Sequence, residues 1–138
     1  MADQVRKASY CYVKVANRPG RGAAILGDLA NAGVNLFAYT GFPSWGGEAQ
    51  LDFVTDNLAA VRRVAKRHGL RTSATKRCFL IQGDDRVGAA HRHFAKLAKA
   101  GINVTAADAV TAGKKRFGMI LWVKPKDYAR AAKALGAR

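Results

Sequence analysis

Residues 17–36 read Asn-Arg-Pro-Gly-Arg-Gly-Ala-Ala-Ile-Leu-Gly-Asp-Leu-Ala-Asn-Ala-Gly-Val-Asn-Leu, and this stretch decides the fold. It opens with a turn cluster, because proline fixes one backbone dihedral and glycine admits unusual ones. Apolar residues then recur at i, i+1, i+4 and i+7, which predicts an amphipathic helix. This apolar stripe consists of Ile25, Leu26, Leu29 and Ala32. Gly33 is placed to end the helix in a left-handed conformation, and a new strand is predicted to follow it.

The same pattern returns in residues 85–104. Two glycines and the closing asparagine recur at a constant offset of 68 residues. The matched pairs are Gly20 and Gly88, Gly33 and Gly101, and Asn35 and Asn103. A period of this size indicates one supersecondary unit that the chain encodes twice.

Around each copy, the apolar pattern predicts elements in the order strand, helix, strand, strand, helix and strand. This is the order of the ferredoxin-like fold, an α+β fold with two helices on one face of a four-stranded antiparallel sheet. We expect repeat one to span residues 8–74 and repeat two to span 75–138. In repeat one, residues 34–39 are predicted to form the second strand, and the glycine-rich residues 41–47 are predicted to form a hairpin loop.

The second repeat is expected to lack its last strand, because residues 128–135 have a helical pattern and only three residues follow them. A missing strand leaves a sheet edge with unpaired backbone groups. Two hypotheses account for that edge. Either residues 71–82 run as one long strand that serves both repeats, or a second copy of the chain covers it.

The strongest deviation in composition is a net charge of +15, which favours a nucleic acid or another anion as partner. The densest basic stretch, residues 62–67 with Arg71, Lys76 and Arg77 beyond it, alternates cations with Val61, Val64 and Ala65. That alternation is also typical of the solvated face of an amphipathic helix. The sequence leaves both interpretations open, with the solvated face preferred.

The chain is expected to be cytoplasmic. No stretch approaches the roughly 20 apolar residues that a membrane-spanning helix needs, and residues 1–7 have no apolar segment typical of a signal peptide. Cys11 and Cys78 lie in apolar runs, where a free thiol acts as a small hydrophobic group, so no disulfide is predicted.

No catalytic signature, phosphate-binding loop or metal-ligand spacing is found in the sequence. His91 and His93 are two residues apart on a predicted helix, about 200° around its axis, and therefore cannot share a metal ion. We expect a protein that is not an enzyme and that carries no cofactor.

The two motifs together resemble the ACT domain, a small ligand-sensing module of amino-acid metabolism. In repeat one, the matching residues are Asn17, Pro19, Gly20, Gly33, Val34 and Asn35. In repeat two, they are Asp85, Gly88, Gly101, Ile102 and Asn103. Val87 stands where the family has proline. The resemblance covers most of the chain, from about Tyr10 to Leu135.

This resemblance implies that modules pair side by side and that an amino acid binds where the first loop of one module faces its neighbour. The residue chemistry suits such a ligand, because bare backbone N–H groups at a helix start favour a carboxylate. The candidate ligand-binding residues are Asn17, Arg18, Pro19, Gly20, Arg21, Gly22, Asn35, Asp85, Gly88 and Asn103. The first loop is the better candidate, because Val87 and the acidic pair Asp84 and Asp85 disfavour a carboxylate at the second.

The resulting hypothesis is a regulatory protein that binds a free amino acid and acts on its own oligomer, a regulated enzyme or a transcription factor. A homodimer is expected, because the predicted open face of the first sheet is aromatic. That face is predicted to carry Tyr10, Tyr12, Phe37 and Tyr39. The alternatives are an RNA- or other nucleic-acid-binding protein, whose bases would stack on those aromatic rings, and a purely structural assembly module.

Overall fold

The computed structural model describes residues 2–138. Its elements confirm the predicted α+β class. The strands are β1 (Gln4–Ala16), β2 (Ala38–Pro43), β3 (Glu48–Val54), β4 (Lys76–Asp84), β5 (Val104–Thr111) and β6 (Arg116–Val123). The helices are α1 (Arg21–Asn31), α2 (Leu58–Arg67), α3 (His91–Lys99) and α4 (Tyr128–Leu135). Short 3-10 turns at Trp45–Gly47 and Pro125–Asp127 precede β3 and α4.

The chain divides into two compact units. The first unit is Ser9–Lys76, and the second consists of Arg77–Arg138 together with residues 2–8. Each unit contains the central elements of one repeat. Residues 2–7, which precede the predicted first repeat, belong to the second unit.

In the first unit, the strands lie in the order β2, β3, β1 with antiparallel pairing. The register places Cys11 and Tyr39 on either side of Phe53. Helices α1 and α2 cover this face, and their Leu29 and Val61 join its core. Burying one such apolar side chain stabilises the fold by about 1.5–3 kcal/mol.

In the second unit, the antiparallel order is β4, β6, β5. Phe79 and Leu121 lie side by side in this sheet, and both are fully buried under Leu97 of α3 and Ala131 of α4. Val5 of β1 belongs to the same core. The N-terminal part of β1 therefore adds apolar surface that residues 77–138 alone lack.

The long strand is not the one that the sequence predicted. Residues 71–82 do not form one strand, because β4 begins only at Lys76. The 13-residue β1 is the long one, and its residues fall in both units. Ser73 explains the interruption of 71–82: its Oγ accepts from the Tyr12 amide at 3.0 Å, while its own amide donates to the Tyr12 carbonyl at 2.9 Å. A side-chain oxygen thus replaces one backbone acceptor of a regular ladder.

The prediction for the second strand was also wrong. Strand β2 covers Ala38–Pro43, so residues 34–37 are not in it and residues 41–43 are not a loop. The Val34 amide is already bonded to the Leu29 carbonyl at the end of α1, at 3.0 Å, and the pairing with β3 begins only at Ala38, opposite Val54. Tyr39 consequently lies opposite Phe53, on the helix-covered face. The predicted aromatic face therefore loses Tyr39.

All four helices within residues 2–138 end in the same way, as predicted for α1 at Gly33. In each, a glycine with positive φ follows the helix, and the next amide bonds back to a carbonyl five residues earlier. These glycines are Gly33, Gly69, Gly101 and Gly136. Such an end satisfies carbonyls that would otherwise lack partners. The chain can thus stop each helix by local sequence alone.

Candidate functional site

The first loop joins β1 to α1 and is anchored at its start. The Asn17 amide donates to the Gly47 carbonyl at 2.9 Å, which ties the loop to the turn before β3. Gly20 adopts φ 90° at the start of α1, a left-handed conformation that suits glycine. Within residues 2–138, no side chain caps this helix start. Its backbone N–H groups and their partial positive charge therefore suit an anion.

Arg21 lies in the first turn of α1. Its Nε is buried and has no hydrogen-bond partner among the described residues. A buried donor without a partner costs about 1–3 kcal/mol. A carboxylate oxygen at this position would supply the missing acceptor.

Tyr39 reaches the same helix start, and the sequence did not predict it as a site residue. A Cβ on Gly22 would lie 3.3 Å from the Tyr39 hydroxyl oxygen, so glycine leaves room for that hydroxyl. The Tyr39 ring contacts Phe53 with centroids 5.6 Å apart, and burial raises the pKa of its hydroxyl. The hydroxyl is therefore a donor at neutral pH. Only the true start of β2 places it here, and no local pattern signals that start.

Asn35 lies beyond the opposite end of α1. Eleven helical residues separate the two ends by roughly 16 Å. The Asn35 carbonyl accepts from the Thr55 hydroxyl at 2.8 Å, and the residue is exposed. The structure thus does not bring Asn35 to Asn17, Arg18, Pro19 and Gly20 within one unit.

The second loop differs from the first. Gly88 has φ 78°, but α3 begins at His91, whereas α1 begins directly after Gly20. Val87 is fully exposed, and the Asp85 amide donates to the Lys115 carbonyl at 2.8 Å. Asn103 is exposed beyond the end of α3. The structure therefore separates Asn103 from Asp85 and Gly88 as it separates Asn35 from the first loop.

The acidic residue before that loop is paired. Arg116 donates to the Asp84 carboxylate at 2.7 Å, and this bond is the largest cause that lowers the pKa of Asp84. The carboxylate is thus ionised at neutral pH. Its charge is offset by that of Arg116, so this pair provides no net attraction for a carboxylate ligand at the second loop.

Helix α2 carries the densest basic stretch on its exposed face. Arg63, Lys66 and Arg67 are exposed, while Val61 and Val64 are buried, as the apolar spacing predicts. The three cations line a cavity of about 580 Å³ in the first unit. Ala32, Ala60 and Val64 form its apolar part.

Cys11 and Cys78 are both buried, and neither forms a disulfide within residues 2–138. Burial raises the pKa of the Cys11 thiol, and the neighbouring Arg62 partly offsets this effect. Within the described part of the chain, no three His, Cys, Asp or Glu side chains form a group able to hold a metal ion. No helix among residues 2–138 is long and apolar enough to cross a bilayer.

No family model and no curated protein sequence matches this chain. Solved structures do resemble it. A protein from Bacteroides thetaiotaomicron matches with TM-score 0.75 at 16% identity, over 94% of this chain and 88% of that one. The regulatory subunit of aspartate kinase from Thermus thermophilus, in its ligand-free form, matches with TM-score 0.67 at 15% identity, over 98% and 93%.

The regulatory subunit of aspartate kinase from Thermus flavus gives a similar result, with TM-score 0.64 at 18% identity over 98% of this chain and 94% of that one. At such identities the likeness shows the fold alone. The chain thus has the fold of these regulatory subunits, over nearly their whole length.

Proposed function

We propose that this protein is a non-catalytic regulatory module that binds a free amino acid at the first loop. The observation that carries the proposal is the buried, unpartnered Nε of Arg21 in the first turn of an uncapped helix. A ligand carboxylate would satisfy that donor and the backbone N–H groups beside it. The likeness in fold to regulatory subunits of aspartate kinase supports this class of function.

The remaining contacts are proposed to come from two modules. The Tyr39 hydroxyl lies at the same helix start and would donate a further hydrogen bond to the carboxylate. Asn35 lies at the other end of α1 and is exposed, so it would contact a ligand held by a neighbouring module. The α-amino group of an amino acid suits the acceptor oxygen of such an asparagine.

Regulation would follow from assembly. A ligand that contacts two modules binds best to the arrangement that presents both, and it therefore raises the population of that arrangement. We propose that the assembling copies form a homodimer and that a regulated enzyme or transcription factor responds to it.

The test is thermal melting of the full chain with each of the twenty amino acids at millimolar concentration. A ligand that binds only the folded state stabilises it, by about 2.7 kcal/mol at a hundredfold excess over Kd. We expect a selective rise for one amino acid or a small group. Arg21→Gln and Tyr39→Phe should reduce this rise, whereas Arg63→Gln on the exposed face of α2 should leave it unchanged.

Two results would contradict the proposal. One is the absence of any selective rise in the wild-type protein, which would favour a purely structural module. The other is a rise that survives in Arg21→Gln and Tyr39→Phe, which would place the ligand elsewhere.

Nucleic-acid binding is the second candidate, because the net charge is +15 and three cations on α2 are exposed, namely Arg63, Lys66 and Arg67. Phosphate contacts release counterions, so RNA affinity would fall steeply as salt rises. A titration with single-stranded RNA at two salt concentrations separates this candidate from the first. Arg63→Gln and Lys66→Gln should weaken RNA binding and leave amino-acid binding intact.

A further inference from the structure

The second unit contains a buried carboxylate that belongs to the N-terminal segment. The Asp3 side chain is 6% exposed, and its Oδ2 lies 2.7 Å from Nε2 of His93. Nη1 of Arg92 lies 3.8 Å from the same oxygen. Both partners are in the first turn of α3.

A missing side chain creates the space for this carboxylate. A Cβ on Gly83 would collide with the Asp3 carboxylate, and it would lie 2.8 Å from the Phe117 ring. No substitution at Gly83 could therefore coexist with Asp3 in this position. Gly83 is buried within β4.

The internal repeat shows what normally fills this place. At the offset of 68 residues, Gly83 and His93 correspond to Val15 and Ile25 of the first unit. Val15 and Ile25 are buried and belong to the apolar core of that unit. The second unit thus has a glycine and a hydrogen-bond donor where the first unit has two buried hydrocarbon side chains, and the Asp3 carboxylate fills the space that the glycine leaves.

His93 is itself almost fully enclosed, with a side chain 2% exposed. Its Nδ1 is buried and has no hydrogen-bond partner within residues 2–138. With the proton on Nε2, the ring donates to Asp3 and leaves Nδ1 as a bare acceptor. A buried polar ring is stable only if its donor meets an acceptor, and a carboxylate is the acceptor present.

We propose that Gly83, Arg92 and His93 form a carboxylate-binding pocket, which the chain's own Asp3 occupies. A small free carboxylate would bind there only in exchange for Asp3. Val5 lies in the same core and the Lys7 amide bonds to the Arg138 carbonyl at 2.9 Å, so β1 keeps these contacts when the exchange releases Asp3 from α3. The proposal does not depend on amino-acid binding at the first loop.

The test is thermal melting of the full chain with Asp3→Ala, which empties the pocket. Acetate is the probe, and chloride at the same concentration is the reference. We expect Asp3→Ala to melt at a lower temperature than the wild type. Acetate should restore at least half of the loss, while the wild type should not respond because Asp3 already fills the pocket. Asp3→Ala/His93→Phe should lose the restoration.

Asp28→Ala is the matched control. Asp28 also bonds to a histidine, with 2.6 Å between its Oδ2 and Nε2 of His68, but its side chain is 44% exposed. Its removal opens no buried pocket, so acetate should not restore that variant.

If Asp3→Ala is unfolded in chloride, the same titration is made with Asp3→Ser, whose shorter side chain leaves the place of the carboxylate empty, and the His93 ring resonances are recorded by NMR. Acetate should shift those resonances in the variant and not in the wild type. Melting curves or spectra that are the same in acetate and in chloride for the folded variant would overturn the proposal. Equal responses of the Asp3 and Asp28 variants would also overturn it.

Discussion

The Tyr128 hydroxyl donates a buried hydrogen bond of 2.7 Å to the Cys78 carbonyl oxygen. The Tyr128 ring stacks on Phe79 with 4.4 Å between centroids, and the Arg77 guanidinium lies 4.1 Å above it. One side chain thus fixes the start of α4 to β4 by a hydrogen bond, an aromatic stack and a cation–π contact.

Tyr128→Phe should keep both ring contacts and remove only the hydrogen bond. We expect the free energy of unfolding to fall by about 1 kcal/mol, because the bond is buried and neutral. Urea denaturation measures this change. Tyr12→Phe, at a half-buried position outside both cores, should change the stability less. An equal loss in both variants would contradict the role given to this bond.

Arg62 organises residues 72–75. Its guanidinium donates to the Thr72 hydroxyl and the Ser73 carbonyl, both at 2.7 Å, and to the Thr75 hydroxyl at 2.8 Å. Lysine cannot reproduce this planar set of donors. Arg62→Lys should therefore speed amide exchange in residues 72–75 and lower stability by about 1–2 kcal/mol.

Arg67→Lys is the matched control for this variant, because Arg67 lies on the same helix and is exposed. Its exchange pattern should equal that of the wild type. Unchanged protection of residues 72–75 in Arg62→Lys would show that β1 alone holds them.

Asp52 is a buried acid whose cost depends on pH. Burial raises the pKa of its carboxyl group, while the hydrogen bond from Gln50 and the charge of Lys76 partly offset this. The unfolded chain therefore loses its Asp52 proton first as pH rises. The contribution of Asp52 to the free energy of unfolding is thus most favourable below pH 3.8, the ordinary pKa of the carboxyl group. It falls as pH rises, and it stops falling once the pH exceeds the raised pKa of the folded protein.

Asp52→Asn should consequently be more stable than the wild type at neutral pH, with a difference that vanishes in acid. Asparagine can still accept the Gln50 hydrogen bond. Thermal melting from pH 3 to pH 8 measures the difference, and Asp56→Asn, at an exposed position, is the control. A wild type that is the more stable protein at neutral pH would show that Lys76 outweighs burial.

Cys11 should react only when the first unit opens. Its thiol is fully buried, and burial raises its pKa, so both access and thiolate formation are suppressed. We expect labelling of Cys11 by a disulfide reagent to be slow and to accelerate with urea in step with unfolding. Rapid labelling of native protein without denaturant would contradict this burial.

Local sequence determined the helices and their ends, because capping needs only residues a few positions apart. Gly33 and Gly101 stop α1 and α3 with the same hydrogen bonds, and the offset between them shows the duplication. The first loop was likewise predictable, because the left-handed Gly20 before a helix start is a local signal. The α+β class follows from the order of these elements.

Only the tertiary structure decided which strand is long and what fills each buried place. The start of β2 depends on pairing with β3, and a shift of one residue changes the face of every side chain, so Tyr39 was misplaced. The position of Asp3 depends on Gly83 and His93, 80 and 90 residues away. Such contacts depend on space and partners that only the folded chain brings together, whereas helix ends are determined within a single turn.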